Sequence, residues 1–281
     1  RLRETTPMRA IQPLLCTLIM LAGTTAFAQQ PIFPGIQSYI GDGTRGLVME
    51  DFDGDGLLDI AAANEFSGDV TVLLGQADTR FGAPTSHLTG MAFTGLAAAD
   101  LDGDLDLDLV AVSSAFRTII PILGNGDGTF VAPGPPFNQG PVGIAPTEIE
   151  LADVTGDTVV DAIVVNGDNT VSILAGNGDG TFATAVDLST GAGSGTSSVD
   201  VVDVNGDRVP DLVVGNQSGG DLGLFLGTGG GLFSAMTSVD VTSRPADVVS
   251  GDVTGDGLLD LVVAGNNNNV VEVLAGDGAG N

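Results

Sequence analysis

Apolar and polar positions along this chain alternate in blocks rather than with a helical period. Five nearly continuous apolar runs, LLDIAAAN (57–64), LDLVAVSS (107–114), VDAIVVN (160–166), PDLVVGN (210–216) and LDLVVAGN (259–266), read as strands buried on both faces. Each leads through a polar turn into a second run: VTVLLG, IIPILG, VSILAG, LGLFLG or VEVLAG. A glycine-rich turn follows, GNGDGTF in two copies, and is expected to open a third strand at Phe81, Phe130, Phe182 and Phe233. A fourth strand, alternating as in TEIELAD and SSVDVVD, precedes the next block. Four short strands in every fifty or so residues predict an all-β chain, a β-propeller of about five four-stranded blades.

An acidic nonapeptide stands before each of the five apolar runs. DFDGDGLLD from Asp51 recurs as DLDGDLDLD from Asp100, DVTGDTVVD from Asp153, DVNGDRVPD from Asp203 and DVTGDGLLD from Asp252, at intervals of 49, 53, 50 and 49 residues. Carboxylates spaced this densely repel by several kcal/mol per close pair at an effective dielectric of about 20. A hard cation would offset that. Ca²⁺ accepts about six to eight oxygens at about 2.3–2.6 Å, and one tight turn can supply several.

By position, the first loop offers Asp51, Asp53, Asp55, the carbonyl of Leu57, and Asp59. The second offers Asp100, Asp102, Asp104, Asp106 and Asp108; the third, Asp153, Thr155, Asp157, Val159 and Asp161. The fourth offers Asp203, Asn205, Asp207, Val209 and Asp211, and the fifth Asp252, Thr254, Asp256, Leu258 and Asp260. Up to five Ca²⁺ ions are expected. An EF-hand would close on a glutamate at its twelfth position, but Ala62, Ala111, Val164, Val214 and Val263 stand there, so the ninth-position aspartates close these loops. Gly56 permits a left-handed kink around the ion, whereas Leu105, Thr158 and Arg208 replace that glycine. Charge and backbone together predict the affinity order one, then five and two, then three, then four.

The coupling of aspartate loops to GNGDGTF-like hairpins resembles the FG-GAP repeat, also described as the VCBS repeat, of integrin alpha heads and many secreted bacterial proteins. The resemblance covers residues 29–281 and implies a β-propeller with a Ca²⁺ loop between the first and second strands of each blade. Residues 33–40, FPGIQSYI, look like the outer strand that the fifth blade lacks, which would close a five-bladed ring; the alternative is a truncated seven-bladed ring.

Residues 1–28 read as upstream sequence and an export signal: Arg9, the apolar IQPLLCTLIML, then Ala26-Phe27-Ala28. The expected location is secreted or cell-surface, with no membrane span in the processed chain, because the apolar run is shorter than the roughly 20 residues a spanning helix needs. Cys16, the single cysteine, lies inside that signal, so metal rather than disulfide is the expected staple. With 8 basic against 36 acidic residues and a net charge of −28, nucleic acid is excluded as a partner.

The remaining candidates read structurally. GNGDGTF lacks the lysine of a phosphate loop; Asn64, Asn166, Asn216 and Asn266 cap strands; His87, the sole histidine, sits on the surface; Glu148 and Glu150 mark a solvated strand face. The function expected is a secreted, calcium-binding, non-catalytic binding or adhesion module that meets an extracellular protein or glycan through loops such as residues 133–146. The competing reading is the propeller domain of an extracellular polysaccharide hydrolase or lyase.

Overall fold

The computed structural model describes residues 42–77, 80–131, 145–267 and 269–280. The export signal, the FPGIQSYI segment and most of the 133–146 loop lie outside the described residues. Among those described there is no helix.

Five antiparallel meanders follow one another along the chain. The first sheet runs Thr44–Glu50, Asp59–Asn64, Asp69–Leu73 and Thr85–Thr89; the third, Pro146–Ala152, Asp161–Asn166, Thr170–Leu174 and Val186–Ser189; the fourth, Thr196–Val202, Asp211–Asn216, Asp221–Phe225 and Thr237–Asp240. In the second, Phe93–Ala99, Asp108–Ser113 and Thr118–Gly124 are bordered by Phe130–Val131. The fifth has three strands, Pro245–Gly251, Asp260–Gly265 and Val271–Leu274. The apolar runs form the second and third strands, as their composition predicts, and second strands such as Asp161–Asn166 are buried along their whole length.

One expectation needs correction. Phe130 opens the strand that borders the second sheet, but the other phenylalanine-led segments do not open the outer strand: Phe81 and Phe233 pair back onto Gly75 and Gly227 in small hairpins, and Phe182 bridges Gly176. The outer strands begin later, at Thr85, Val186 and Thr237. The glycine turn is too short to carry the chain along a full strand, so it closes a two-residue ladder first.

Apolar side chains fill the space between successive sheets rather than one central core. Val48, Val70 and Val72 of the first sheet meet Phe93, Leu109 and Ile120 of the second, and similar clusters join the second to the third, the third to the fourth and the fourth to the fifth. First strands of successive sheets are neighbours, and each carries an irregularity at the same register, as at Thr44/Gly46, Pro146/Glu148 and Pro245/Asp247. Hydroxyls stitch them: Thr94 donates to the carbonyl of Pro146 (2.9 Å), and Ser197 to that of Pro245 (2.9 Å).

The asparagines ending the second strands do more than cap. Asn64 donates to Thr71 and Asn166 to Ser172, each on the adjoining third strand. Asn216 has no such partner, because Gly223 stands at the register position of those hydroxyls. His87 is half-buried, not superficial, with its ring edge-on to Phe130 at 5.5 Å.

Candidate metal centre

Each acidic nonapeptide links the first strand of a sheet to the second, with Glu50 opposite Asp59, Ala99 opposite Asp108 and Val202 opposite Asp211. The chain turns back through two left-handed residues. The fourth position is glycine in every loop, and the sixth is left-handed whatever residue occupies it: φ is 86° at Gly56 and Gly257, 75° at Leu105, 74° at Thr158 and 69° at Arg208. The kink predicted at Gly56 is therefore a property of all five loops, and three of them hold it without glycine.

The first-position aspartate organises this turn. In the first loop the amides of Asp55 and Gly56 donate to Asp51 (3.1 and 2.8 Å); in the third, those of Gly156 and Thr158 donate to Asp153 (2.6 and 2.8 Å). Asp203 and Asp252 accept the same set. Backbone dipoles thus offset part of the carboxylate repulsion, a share the sequence assigned wholly to a metal.

The ninth-position aspartates Asp59, Asp108, Asp161, Asp211 and Asp260 are fully buried. One oxygen of each accepts the amide of the second loop residue and the other that of a glycine at the end of the third-strand run. For Asp59 these are Phe52 (2.7 Å) and Gly75 (2.6 Å); for Asp108, Leu101 (2.8 Å) and Gly124 (2.7 Å); for Asp211, Val204 (3.0 Å) and Gly227 (2.7 Å). Those glycines are obligatory. A Cβ on Gly124 would lie 2.2 Å from the carbonyl oxygen of Leu107, and one on Gly227 2.2 Å from that of Pro210. The constant glycine in VLLG, PILG, ILAG, LFLG and VLAG was the available sequence signal for this role.

A second tie comes from the neighbouring sheet. The hairpin glycines Gly128, Gly180 and Gly231 donate to the carbonyls of Phe52, Leu101 and Val154 in the preceding sheet's loop (3.0, 3.2 and 3.2 Å). GNGDGTF is a hairpin turn, braced internally by Asn125 and Asn177 to Thr129 and Thr181, and it is also a clamp on an acidic loop.

Carboxylates converge most in the first two loops. Asp51, Asp53 and Asp59 each place an oxygen within 4.8 Å of the others, as do Asp100, Asp102 and Asp108. An all-oxygen donor set at that spacing fits a hard cation. Loops three, four and five have Thr155, Asn205 and Thr254 at the third position, so no such acidic triad forms there among the described residues. Asp55 and Asp104 stand outside the triads and instead accept the amides of Leu57 and Asp106 (2.8 and 2.9 Å).

Asp106 departs from the predicted ligand set. Its carboxylate lies over Gly126 in the hairpin of its own sheet, where Leu57, Val159 and Leu258 also cover hairpin glycines. Seventh-position side chains point away from the turn, leaving only their carbonyls available to it.

Electrostatics register the crowding. Burial, with Asp102 and Asp104 adding to it, pushes Asp108 up to about 6 against the pull of its two amide donors. Burial likewise raises Asp211, and burial followed by the charges of Asp59, Asp55 and Asp51 raises Asp53. Asp260 is held below the ordinary value, chiefly by the amide of Gly276.

The model of the FG-GAP-like repeat matches residues 51–111, 153–214 and 204–263, which together are more than half of the chain. The chain belongs to the FG-GAP-like repeat family. No curated protein matches the sequence. Among solved structures, this FG-GAP-like chain is similar to an Agrocybe aegerita lectin described as recognising non-reducing terminal N-acetylglucosamine (TM-score 0.56, 22% identity, 83% of this chain and 63% of that one). It is also similar to a protein from Lactobacillus plantarum (TM-score 0.60, 14% identity, 79% of this chain and 65% of that one). A putative 6-phosphogluconolactonase from Bacteroides uniformis gives TM-score 0.59 at 14% identity, over 79% of this chain and 65% of that one. At such identities the likeness is one of fold. The FG-GAP-like chain spans 63% and 65% of the length of the first two.

Proposed function

We propose that this FG-GAP-like chain is a secreted, calcium-stabilised β-propeller that acts as a non-catalytic binding module. The observation that carries the calcium part is the pair of carboxylate triads, Asp51/Asp53/Asp59 and Asp100/Asp102/Asp108, on loops already pinned to the sheets by backbone bonds. A cation there would be held by the triads and the carbonyls of Leu57 and Asp106, with weaker occupancy in loops five, three and four. Five successive antiparallel sheets among the described residues support the bladed architecture of this reading.

Binding is the favoured role because the acidic loops are structural devices, tied up in backbone bonds, which leaves loops at the sheet ends to meet a partner. The fold shared with a lectin makes glycans the first ligand class to test. Glycan arrays and extracellular-protein arrays probed in calcium and in EDTA should give calcium-dependent binding. Turnover of a polysaccharide by the purified chain, with no array binding, would overturn this reading in favour of a hydrolase or lyase.

A further inference from the structure

The strand that carries Glu148 and Glu150 does not present the solvated face expected of it: both side chains are half-buried, and the amide of Val201, on the first strand of the fourth sheet, donates to Glu150 (3.1 Å). Exposed rings stand elsewhere. Among the described residues only two phenylalanines are exposed, Phe66 at 70% and Phe116 at 58%. They sit on the turns that join second to third strands in the first and second sheets, at the end of each sheet opposite its acidic loop. One crossing segment lies between these turns: the amides of Gly90 and Met91 donate to the carbonyl of Gly68 in the first turn (2.8 and 3.3 Å), and Phe93, two residues on, is the register partner of Ser113 at the foot of the second.

Both turns are pinned. The amides of Phe66 and Ser67 donate to the carbonyl of Asp42 (3.1 and 3.2 Å), the Phe66 ring lies against Gly43, where a Cβ would meet it at 2.6 Å, and the amide of Phe116 donates to Ser113 Oγ (3.4 Å). A ring fixed through its backbone and still open to solvent loses little freedom when a ligand covers it. Charge also sets this end apart. Of the five arginines among the described residues, Arg45, Arg117 and Arg244 lie here, whereas all five acidic loops lie at the other end. Arg45 is paired with Glu65 (2.7 Å), but Arg117, beside Phe116, is exposed and makes no ion pair among the described residues. Nearby carboxylates are engaged: Asp69 accepts from Ser67 and Asn64, Asp168 from Thr170 and Asp221 from Ser238. The corresponding turns of the other three sheets carry polar groups and no ring: Asp168 and Asn169, Gln217 and Ser218, Asn266 and Asn267.

We propose, resting on the binding-module reading above, that Phe66, Phe116 and Arg117 form the ligand face of this chain and that the ligand is a carboxylated glycan, a run of pyranose rings bearing uronic acids. A phenyl ring receives the apolar C–H face of a pyranose, and the guanidinium fork receives its carboxylate in a bidentate pair. The arginines steer an anionic chain to this end, away from the acidic loops. A protein partner would need about 800 Å² from this side with an apolar centre, and two rings among polar turns do not supply it.

The test probes the full chain, in calcium, against an array carrying polygalacturonate, alginate and hyaluronan beside neutral dextran and xylan, and against an extracellular-protein array. The parent should favour the uronic-acid members. Phe66→Ser/Phe116→Ser should lower that binding by roughly tenfold or more, and Arg117→Gln should lower it by roughly tenfold while leaving binding to the neutral members unchanged. Circular dichroism checks that both variants fold, and Arg117→Gln decides alone if the double variant does not. Uronic-acid binding undiminished in the variants overturns this face and leaves the binding-module reading intact. A preference for the neutral members overturns the carboxylate, and protein binding without glycan binding overturns the glycan. A parent that binds neither array overturns the reading and the face together.

Discussion

At the scale of single residues, left-handed backbone and one close approach govern the acidic loops. Leu105 holds φ at 75° while its side chain is 88% exposed, so it pays for the conformation without packing in return. A non-glycine residue there costs about 1–2 kcal/mol, against about 0.5–1 kcal/mol of extra unfolded-chain entropy for glycine. Leu105→Gly should therefore stabilise the protein by about 0.5–1 kcal/mol, measured by urea unfolding. The glycine ending the third-strand run is the opposite case. Gly124→Ala drives a Cβ to within 2.2 Å of the Leu107 carbonyl and disturbs the amide bonded to Asp108, so a loss of about 3 kcal/mol or more is expected in the same assay. The first effect was legible in the sequence, because the kink position is visible across five copies. The second was not, because a constant glycine says nothing of what it approaches.

At the scale of the element, the loop is a small unit held by three kinds of tie: its first aspartate to its own amides, its ninth to the adjoining strands, and its second carbonyl to the next sheet's hairpin. A cation that binds only the folded loop stabilises by about 2.7 kcal/mol when present at 100 times its dissociation constant. Calorimetry should therefore show a melting temperature raised by calcium and lowered by EDTA. Asp51→Asn and Asp100→Asn should each remove more of that shift than Asp203→Asn, because only the first two sit in carboxylate triads. An equal shift in all three variants would mean that the triads do not set occupancy. The spacing of the ligands was legible in the repeat; the outward turn of Asp106 was not, since strand alternation beyond the loop directs it toward Gly126.

At the scale of the whole molecule, charge is concentrated where first strands meet. In calcium-free buffer Asp247, lifted to about 6 by burial and by Asp200, binds a proton in the folded chain that it has already shed in the unfolded one. Stability therefore falls as pH rises from about 4 through 6. Asp247→Asn removes that dependence, so the variant's advantage over the parent should grow by on the order of 2 kcal/mol between pH 4 and 7, read from denaturant midpoints. The fifth sheet's third strand is equally exposed to its surroundings, with Val271 68% accessible.

The sequence by itself determined the strand content, the five acidic turns and their family, because each is a local pattern of a few residues made unmistakable by repetition. Only the tertiary structure decided that hairpins clamp the neighbouring sheet's loop, that Phe81 and Phe233 close small ladders, and that Glu150 accepts the amide of Val201 on the next sheet. Alternation tells which residues share a face of a strand. Which neighbour that face meets depends on contacts about fifty residues apart, and packing alone sets those.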